Sequence, residues 1–286
     1  MKKLLILITG FGLLFFQQSI YSRDFTEHLK KEFTLRGNAT NTTLCVYNIS
    51  GFIHIEGVAG NSIVIEMDKT ISADDPADLE TGKKEFRLDF EQTDDSITAY
   101  IAEPFDSRPR RNRNQNNSYN PDYEFNVDFT IKVPSGINLR ISTVNEGNIE
   151  ISNVAGNLHV NNVNESISIT NAHGSTYAHT INGDVIVTYV TNPPEQSSYY
   201  TINGDIRISY RPDLSADVTF KSMNGNLYTD FPDAESLPVA AVKTQEKRGG
   251  NTVYKLNKAT TVRFGKGGKT YSFETLNGNV YIKKQS

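Results

Sequence analysis

Gly147-Asn-Ile149-Glu-Ile151, Gly156-Asn-Leu158-His-Val160, Glu165-Ser-Ile167-Ser-Ile169, Gly174-Ser-Thr176-Tyr-Ala178 and Gly183-Asp-Val185-Ile-Val187 can be laid over one another, their first positions nine residues apart without exception. Two positions before the anchor, Val154, Val163, Ala172 and Ile181 add a third apolar column; the first unit departs, with Val144 one position early. Each unit reads as a tight turn followed by a strand of about five residues whose alternate side chains face one core. So short a strand cannot bury its apolar face alone and has to stack on copies of itself.

A longer spacing says how the units stack. Thr180-Ile-Asn-Gly-Asp184, Thr201-Ile-Asn-Gly-Asp205, Ser222-Met-Asn-Gly-Asn226 and Thr275-Leu-Asn-Gly-Asn279 recur at 21, 21 and 53 residues. Nine residues is then half a coil and 18 to 21 a full coil, with successive units on opposite walls of a flattened, all-β solenoid. Anchors 147, 165, 183, 204, 225 and 278 share one wall, and 156 and 174 the other. Ile149, Ile167, Val185, Ile206, Leu227 and Val280 form one inward ladder; Ile151, Ile169, Val187, Ile208 and Ile282 form the next. Asn-Gly suits the corners because both residues tolerate φ > 0. The same dipeptide is a hairpin signal, so antiparallel pairing of consecutive strands is the rival arrangement. Hairpins would not naturally repeat every nine residues over five units, which favours the solenoid.

Outward from this block the pattern loosens. Asn48 to Glu56 and Val58 to Ile65 again place glycines, Gly51 and Gly60, nine apart, and Glu85 to Gln92, Ser96 to Ala102, Glu124 to Val133 and Ile137 to Val144 alternate as strands. Short helices are predicted near Asp24 to Lys31 and Pro76 to Lys84. Pro104 to Tyr123 carries Arg108, Arg110, Arg111 and Arg113 among Asn, Ser and Pro without apolar periodicity, and reads as a mobile Arg-rich loop. Pro232 to Gly250 is a second insertion, and Asn251 to Phe264 alternates again, so part of this stretch is expected to form a hairpin. No domain boundary is evident, and residues 23–286 read as one elongated domain.

Met1-Lys-Lys3, an apolar run from Leu4 to Phe16 and a polar end from Gln17 to Ser22 read as a signal peptide over residues 1–22. The apolar run is too short for a bilayer core of ~30 Å, so no stable membrane span is expected after cleavage. Loss of Lys2 and Lys3 takes the formal charge from −4 to −6. The expected location is periplasmic, outer-surface or extracellular.

The 286 residues include 37% hydrophobic and 22% charged side chains, as in ordinary soluble or repeat proteins. Cys45 alone can form neither an intrachain disulfide nor a Cys-based zinc site. The near-neutral balance argues against dedicated nucleic-acid binding.

The export signal, the four corner units and the final Asn277-Gly-Asn-Val-Tyr-Ile282 strand together resemble the putative adhesin family, bacterial β-solenoid domains of unknown function. The resemblance spans roughly residues 32–282. It implies a right-handed β-helix-like fold, a place at the cell envelope or surface and an adhesive role, and it supplies no catalytic residues or cofactor. The Arg-rich loop departs from the family pattern.

Candidate chemistry is sparse. Gly267-Gly-Lys-Thr270 resembles the end of a phosphate-binding loop, but the required earlier glycine is replaced by Arg263 and a strand follows where a helix is needed. His159, His173 and His179 lie within 21 residues and could approach one another, although solvated surface histidines are the simpler reading, and no metal is expected. Asp184 and Asp205 could stack one coil apart; satisfying turn N–H groups suits them better than binding calcium.

The outward column reads Glu150, Ser168, Ile186, Arg207, Tyr228 and Tyr281, with Tyr189, Tyr199, Tyr200 and Tyr210 nearby in sequence. Tyr228, Tyr281, Arg207 and Tyr210 are the candidate ligand surface, because exposed rings can stack on sugars or on a partner, or simply on each other between coils. Arg108, Arg110, Arg111 and Arg113 are a candidate polyanion-binding loop. The expected function is non-catalytic presentation of an interaction surface to a surface glycan or envelope protein. A purely structural envelope scaffold and a polysaccharide-active enzyme are the alternatives.

Overall fold

The computed structural model describes residues 23–109, 120–238, 242–248, 251–257 and 260–285. The expected signal peptide therefore lies outside the described residues, as do Arg110, Arg111 and Arg113. The chain is all-β apart from one α-helix and a short 3-10 turn among the described residues, and two large sheets share an apolar core.

In chain order the first strands are β1 (Arg23–Thr34), β2 (Thr43–Tyr47), β3 (Ile53–Val58) and β4 (Ser62–Ala73). Helix α1 (Pro76–Glu85) follows; the Asp75 carboxylate accepts from the Ala77 N–H, Pro76 opens the first turn and Lys83 and Lys84 close the last, as the helix dipole favours. Next come β5 (Leu88–Gln92), β6 (Ser96–Ile101), β7 (Glu124–Pro134) and β8 (Asn138–Ser142). The repeat block forms β9 (Ile149–Ser152), β10 (Leu158–Asn161), β11 (Ile167–Ala172), β12 (Thr176–His179), β13 (Val185–Tyr189), β14 (Ser197–Tyr200), β15 (Ile206–Tyr210), β16 (Ala216–Lys221) and β17 (Leu227–Thr229). The chain ends with β18 (Glu235–Leu237), β19 (Val242–Arg248), β20 (Asn251–Asn257), β21 (Thr260–Phe264), β22 (Lys269–Glu274) and β23 (Val280–Lys284).

The first sheet runs β1-β4-β7-β3-β9-β11-β13-β15-β23-β17 and the second β18-β21-β16-β22-β14-β12-β10-β8-β2-β6-β5. From β8 to β17 consecutive strands alternate between the two sheets, and neighbours from β8 to β15 pair in parallel within each sheet. The expected ladder is present: Ile149 stands opposite Ile167, Ile167 opposite Val185 and Val185 opposite Ile206, all buried. Consecutive strands of the repeat do not form antiparallel hairpins; β19 and β20 do.

Three expectations need correction. Residues 24–31 belong to strand β1, antiparallel to β4 over twelve residue pairs, and not to a helix. Phe25, Leu29 and Phe33 recur every four residues, a spacing that puts them on one face of a helix and equally on one face of a strand; pairing along β4 decides. The ladder also departs from sequence order: Val280 lies between Ile206 and Leu227, because β22 and β23 enter between the coil β14–β15 and the coil β16–β17. A similar exchange occurs at the other end, where β2 stands between β6 and β8, and β3 between β7 and β9. Finally, Ile181 is exposed and Val163 only partly buried, while Asn162 and Thr180, one position earlier, point inward.

The inward polar residues explain the corner unit. The hydroxyls of Thr180, Thr201 and Thr275 donate to the carbonyl oxygens of Glu165, Gly183 and Gly204, the anchors one coil away, at 2.9, 2.8 and 3.1 Å. The following asparagines form a side-chain ladder along the edge, Asn145–Asn164–Asn182–Asn203–Asn277–Asn224, with links of 2.7–3.2 Å. The residue after each anchor accepts from the next coil's backbone: Asn148 from Ser166, Ser166 from Asp184, Asp184 from Asp205, Asp205 from Asn279 and Asn279 from Asn226. Each of these corners thus satisfies a donor of the one stacked on it, as corner backbone requires.

Candidate functional site

Parallel register turns the outward column into one straight row across the first sheet. His54 and Glu150 stand opposite each other, followed by Ser168, Ile186, Arg207, Tyr281 and Tyr228 on β11, β13, β15, β23 and β17. The row is acidic toward Glu150 and cationic and aromatic at its far end.

That far end is the candidate surface. The Tyr228 and Tyr281 rings stack with centroids 5.2 Å apart and planes 17° from parallel. Tyr228, on the edge strand β17, is 47% exposed. The Arg207 guanidinium lies 5.3 Å from the Tyr281 centroid and the Lys283 ammonium 6.0 Å away, within cation–π range. Arg207 also pairs with Asp184 and Asp205, so its plane is held against the ring by two carboxylates. The structure therefore brings Arg207, Tyr228 and Tyr281 together, with the two tyrosines stacking on each other as well as facing solvent.

Tyr210 does not join them. It is fully buried, stacked between Tyr189 at 5.3 Å and Tyr271 at 5.5 Å, so it cannot form part of an exposed ligand surface. The Tyr189, Tyr199 and Tyr210 hydroxyls form a buried chain, 2.7 Å from Tyr189 to Tyr199 and 3.3 Å from Tyr210 to Tyr199. Burial raises the pKa of Tyr189 to about 12 and pushes Tyr199 and Tyr210 well above the ordinary tyrosine value.

Arg108 is committed within the fold. Its guanidinium bonds Asp106 and Glu91 and lies 3.9 Å from the Tyr100 centroid, which ties the start of the Arg-rich loop to the second sheet.

The outer face of the second sheet carries aromatic pairs that include two of the three candidate histidines, His159 and His179. His159 stacks on Tyr177 and His179 meets Tyr200 edge-on, each pair 5.8 Å apart. These residues share the outward parity of β10, β12 and β14. Burial, then the Arg140 charge, lowers the pKa of His159; burial, then His159, lowers that of His179. His173 lies in a turn with Nδ1 3.4 Å from the Thr191 hydroxyl, apart from the other two. Among the described residues no group of three His, Cys, Asp or Glu side chains could hold a metal ion. Gly267 and Gly268 form a turn that leads directly into β22, without the helix a nucleotide phosphate would need.

No protein-family model matches the chain, and no curated protein does. Solved structures with similarity include a putative cell adhesion protein from Clostridium sporogenes, 11% identical, covering 91% of this chain and 100% of that one with a TM-score of 0.44. A putative adhesin from Bacteroides fragilis is 11% identical over 91% of this chain and 97% of its own, with a TM-score of 0.36. A putative lipid binding protein from Parabacteroides distasonis is 9% identical, covering 91% of this chain and 97% of its own, with a TM-score of 0.24.

Proposed function

We propose that this chain is an exported, non-catalytic β-solenoid of adhesin type that presents its first sheet to a surface glycan or envelope protein, in the periplasm, on the outer surface or outside the cell. The alternation of parallel strands between two sheets, one coil per 18 to 21 residues, supports the solenoid. The observation that carries the functional reading is the stacked Tyr228–Tyr281 pair with Arg207 and Lys283 beside it. A ring face open to water stacks on the apolar face of a sugar, and the flanking cations donate to its hydroxyls. Asp184 and Asp205, beside this surface, are both held by Arg207, which suits positioning better than acid–base catalysis.

A glycan array probed with the mature chain tests the reading. Binding that falls roughly tenfold in Tyr228→Ala and Tyr281→Ala supports it. Absence of binding to any glycan or envelope fraction overturns it and leaves the structural scaffold.

A further inference from the structure

The lengthening of the coil from 18 to 21 residues falls on one edge of the fold. On the edge of the Asn-Gly corners, the connections from β12 to β13 and from β14 to β15 are residues 180–184 and 201–205, five each. On the opposite edge β11 reaches β12 through the three residues 173–175, whereas β13 reaches β14 through the seven residues 190–196. The next coil repeats the excess. Ser197 and Val218 both stand opposite Tyr271, and the seven residues 211–217 separate the end of β15 from Val218.

In the short coils this edge is shut. A Cβ on Gly174 would lie 2.2 Å from the Gly156 carbonyl oxygen, and one on Gly156 would lie 2.0 Å from that of Ile137. In the long coils the two connections, joined to each other at Asn192, line with the Gly267-Gly268 turn an open groove of about 830 Å³. Val190, Asn192, Arg211, Pro212, Asp213 and Lys269 are among its lining residues.

We infer that this groove binds a saccharide through an anionic substituent: a carboxylate, a sulfate ester or a phosphate ester. Arg211 and Lys269 are exposed on its lining, and Arg211 makes no ion pair with any described residue. Lys269 gives one hydrogen bond to the Pro193 carbonyl at 3.2 Å, which positions the ammonium and leaves further donors for an anion. Asp213, the one carboxylate among the described lining residues, accepts from the Asn192 amide at 2.9 Å, and Asn192 Oδ1 accepts from the Arg211 N–H at 2.9 Å. The wall is therefore set before a ligand arrives, which lowers the ordering cost of binding. Val190, 43% exposed, and Pro212 offer apolar surface to the face of a sugar ring. Beneath them the Tyr271 hydroxyl holds Pro193 at 2.9 Å from within the buried tyrosine cluster, a rigid support for the groove. This site is separate from the Tyr228–Tyr281 surface and does not depend on it.

Calorimetric titration of the full chain with a glucuronate disaccharide, a sulfated disaccharide, a sugar phosphate and a neutral disaccharide tests the inference and identifies the substituent. At least one anionic probe is expected to bind and the neutral one not to. Arg211→Ala and Lys269→Ala should each weaken binding roughly tenfold, and added salt should weaken it in the parent chain. Lys132→Ala, which removes an exposed charge on β7, should leave it unchanged. All three side chains are exposed, so the variants should fold normally. Failure of every anionic probe to bind, parent-like affinity in both groove variants, or equal loss in Lys132→Ala would each overturn the inference.

Discussion

Gly204 and Gly183 stack so closely that a Cβ on Gly204 would lie 2.1 Å from the Gly183 carbonyl oxygen. The same holds one coil further, where a Cβ on Gly278 would lie 1.9 Å from the Gly204 carbonyl oxygen. None of these three glycines has positive φ, so the residue is required by close approach between coils and not by the left-handed turn conformation that Asn-Gly suggests.

Gly204→Ala should therefore separate two coils and destabilise the fold by about 2 kcal/mol or more, the scale of overpacking. Gly37→Ala, where the nearest atom would be 3.7 Å away and φ is not positive, should be nearly neutral. Urea melts of the two variants check this; equal midpoints would contradict the close-approach argument.

Register predicts a second contrast. Ile167 is fully buried between Ile149 and Val185, and Ser168 beside it faces outward between Glu150 and Ile186. Ile167→Asp should cost several kcal/mol, on the order of a lost core side chain plus a buried charge, and Ser168→Asp well under 1 kcal/mol. Similar melting temperatures would contradict the register.

The ladder was legible because a period of two within strands and nine between them favours an arrangement that buries the alternate apolar positions of the strands, Ile149, Ile167, Val185 and Ile206 among them. The order of the last coils was not, because the corner units at Asn203, Asn224 and Asn277 are so alike that each can stack on any other; contacts 53 and 74 residues apart decide it. At Tyr210 the signal was present and went unused. It shares the parity of Ile206 and Ile208, so it belongs to the core that buries them. The groove at Arg211 was half visible, as a change from 18 to 21 residues whose location only strand pairing reveals.

Insertion of β22 and β23 makes the preceding coil depend on residues that follow it. In the first sheet β17 pairs with β23, and in the second sheet β16 pairs with β22 on one side and β21 on the other. Phe273→Ala, in the buried part of β22, should lower hydrogen-exchange protection of β16 and β17 together with β22 and β23, while β10 to β13 keep theirs, because a strand is coupled chiefly to the strands it pairs with. Unchanged protection in β16 would count against the inserted order.

The tyrosine cluster predicts how the fold fails in base. Tyr189, Tyr199 and Tyr210 are held neutral by burial, with folded pKa values above those in the unfolded chain. A group whose folded pKa is raised contributes its full stability below the unfolded value, near pH ~10, and loses it as pH climbs through the folded value. For Tyr189, raised to about 12, the sensitive window is therefore about pH 10 to 12. At about 1.4 kcal/mol per pKa unit, Tyr189 alone accounts for roughly 3 kcal/mol across that window, and the hydroxyls it is bonded to share the penalty. Stability measured by urea melts should be flat to about pH 9 and fall steeply above pH 10, with tyrosinate absorbance from the buried rings rising together with unfolding. Tyr189→Phe should shift that decline to higher pH; a decline at the same pH in parent and variant would show that other groups govern it.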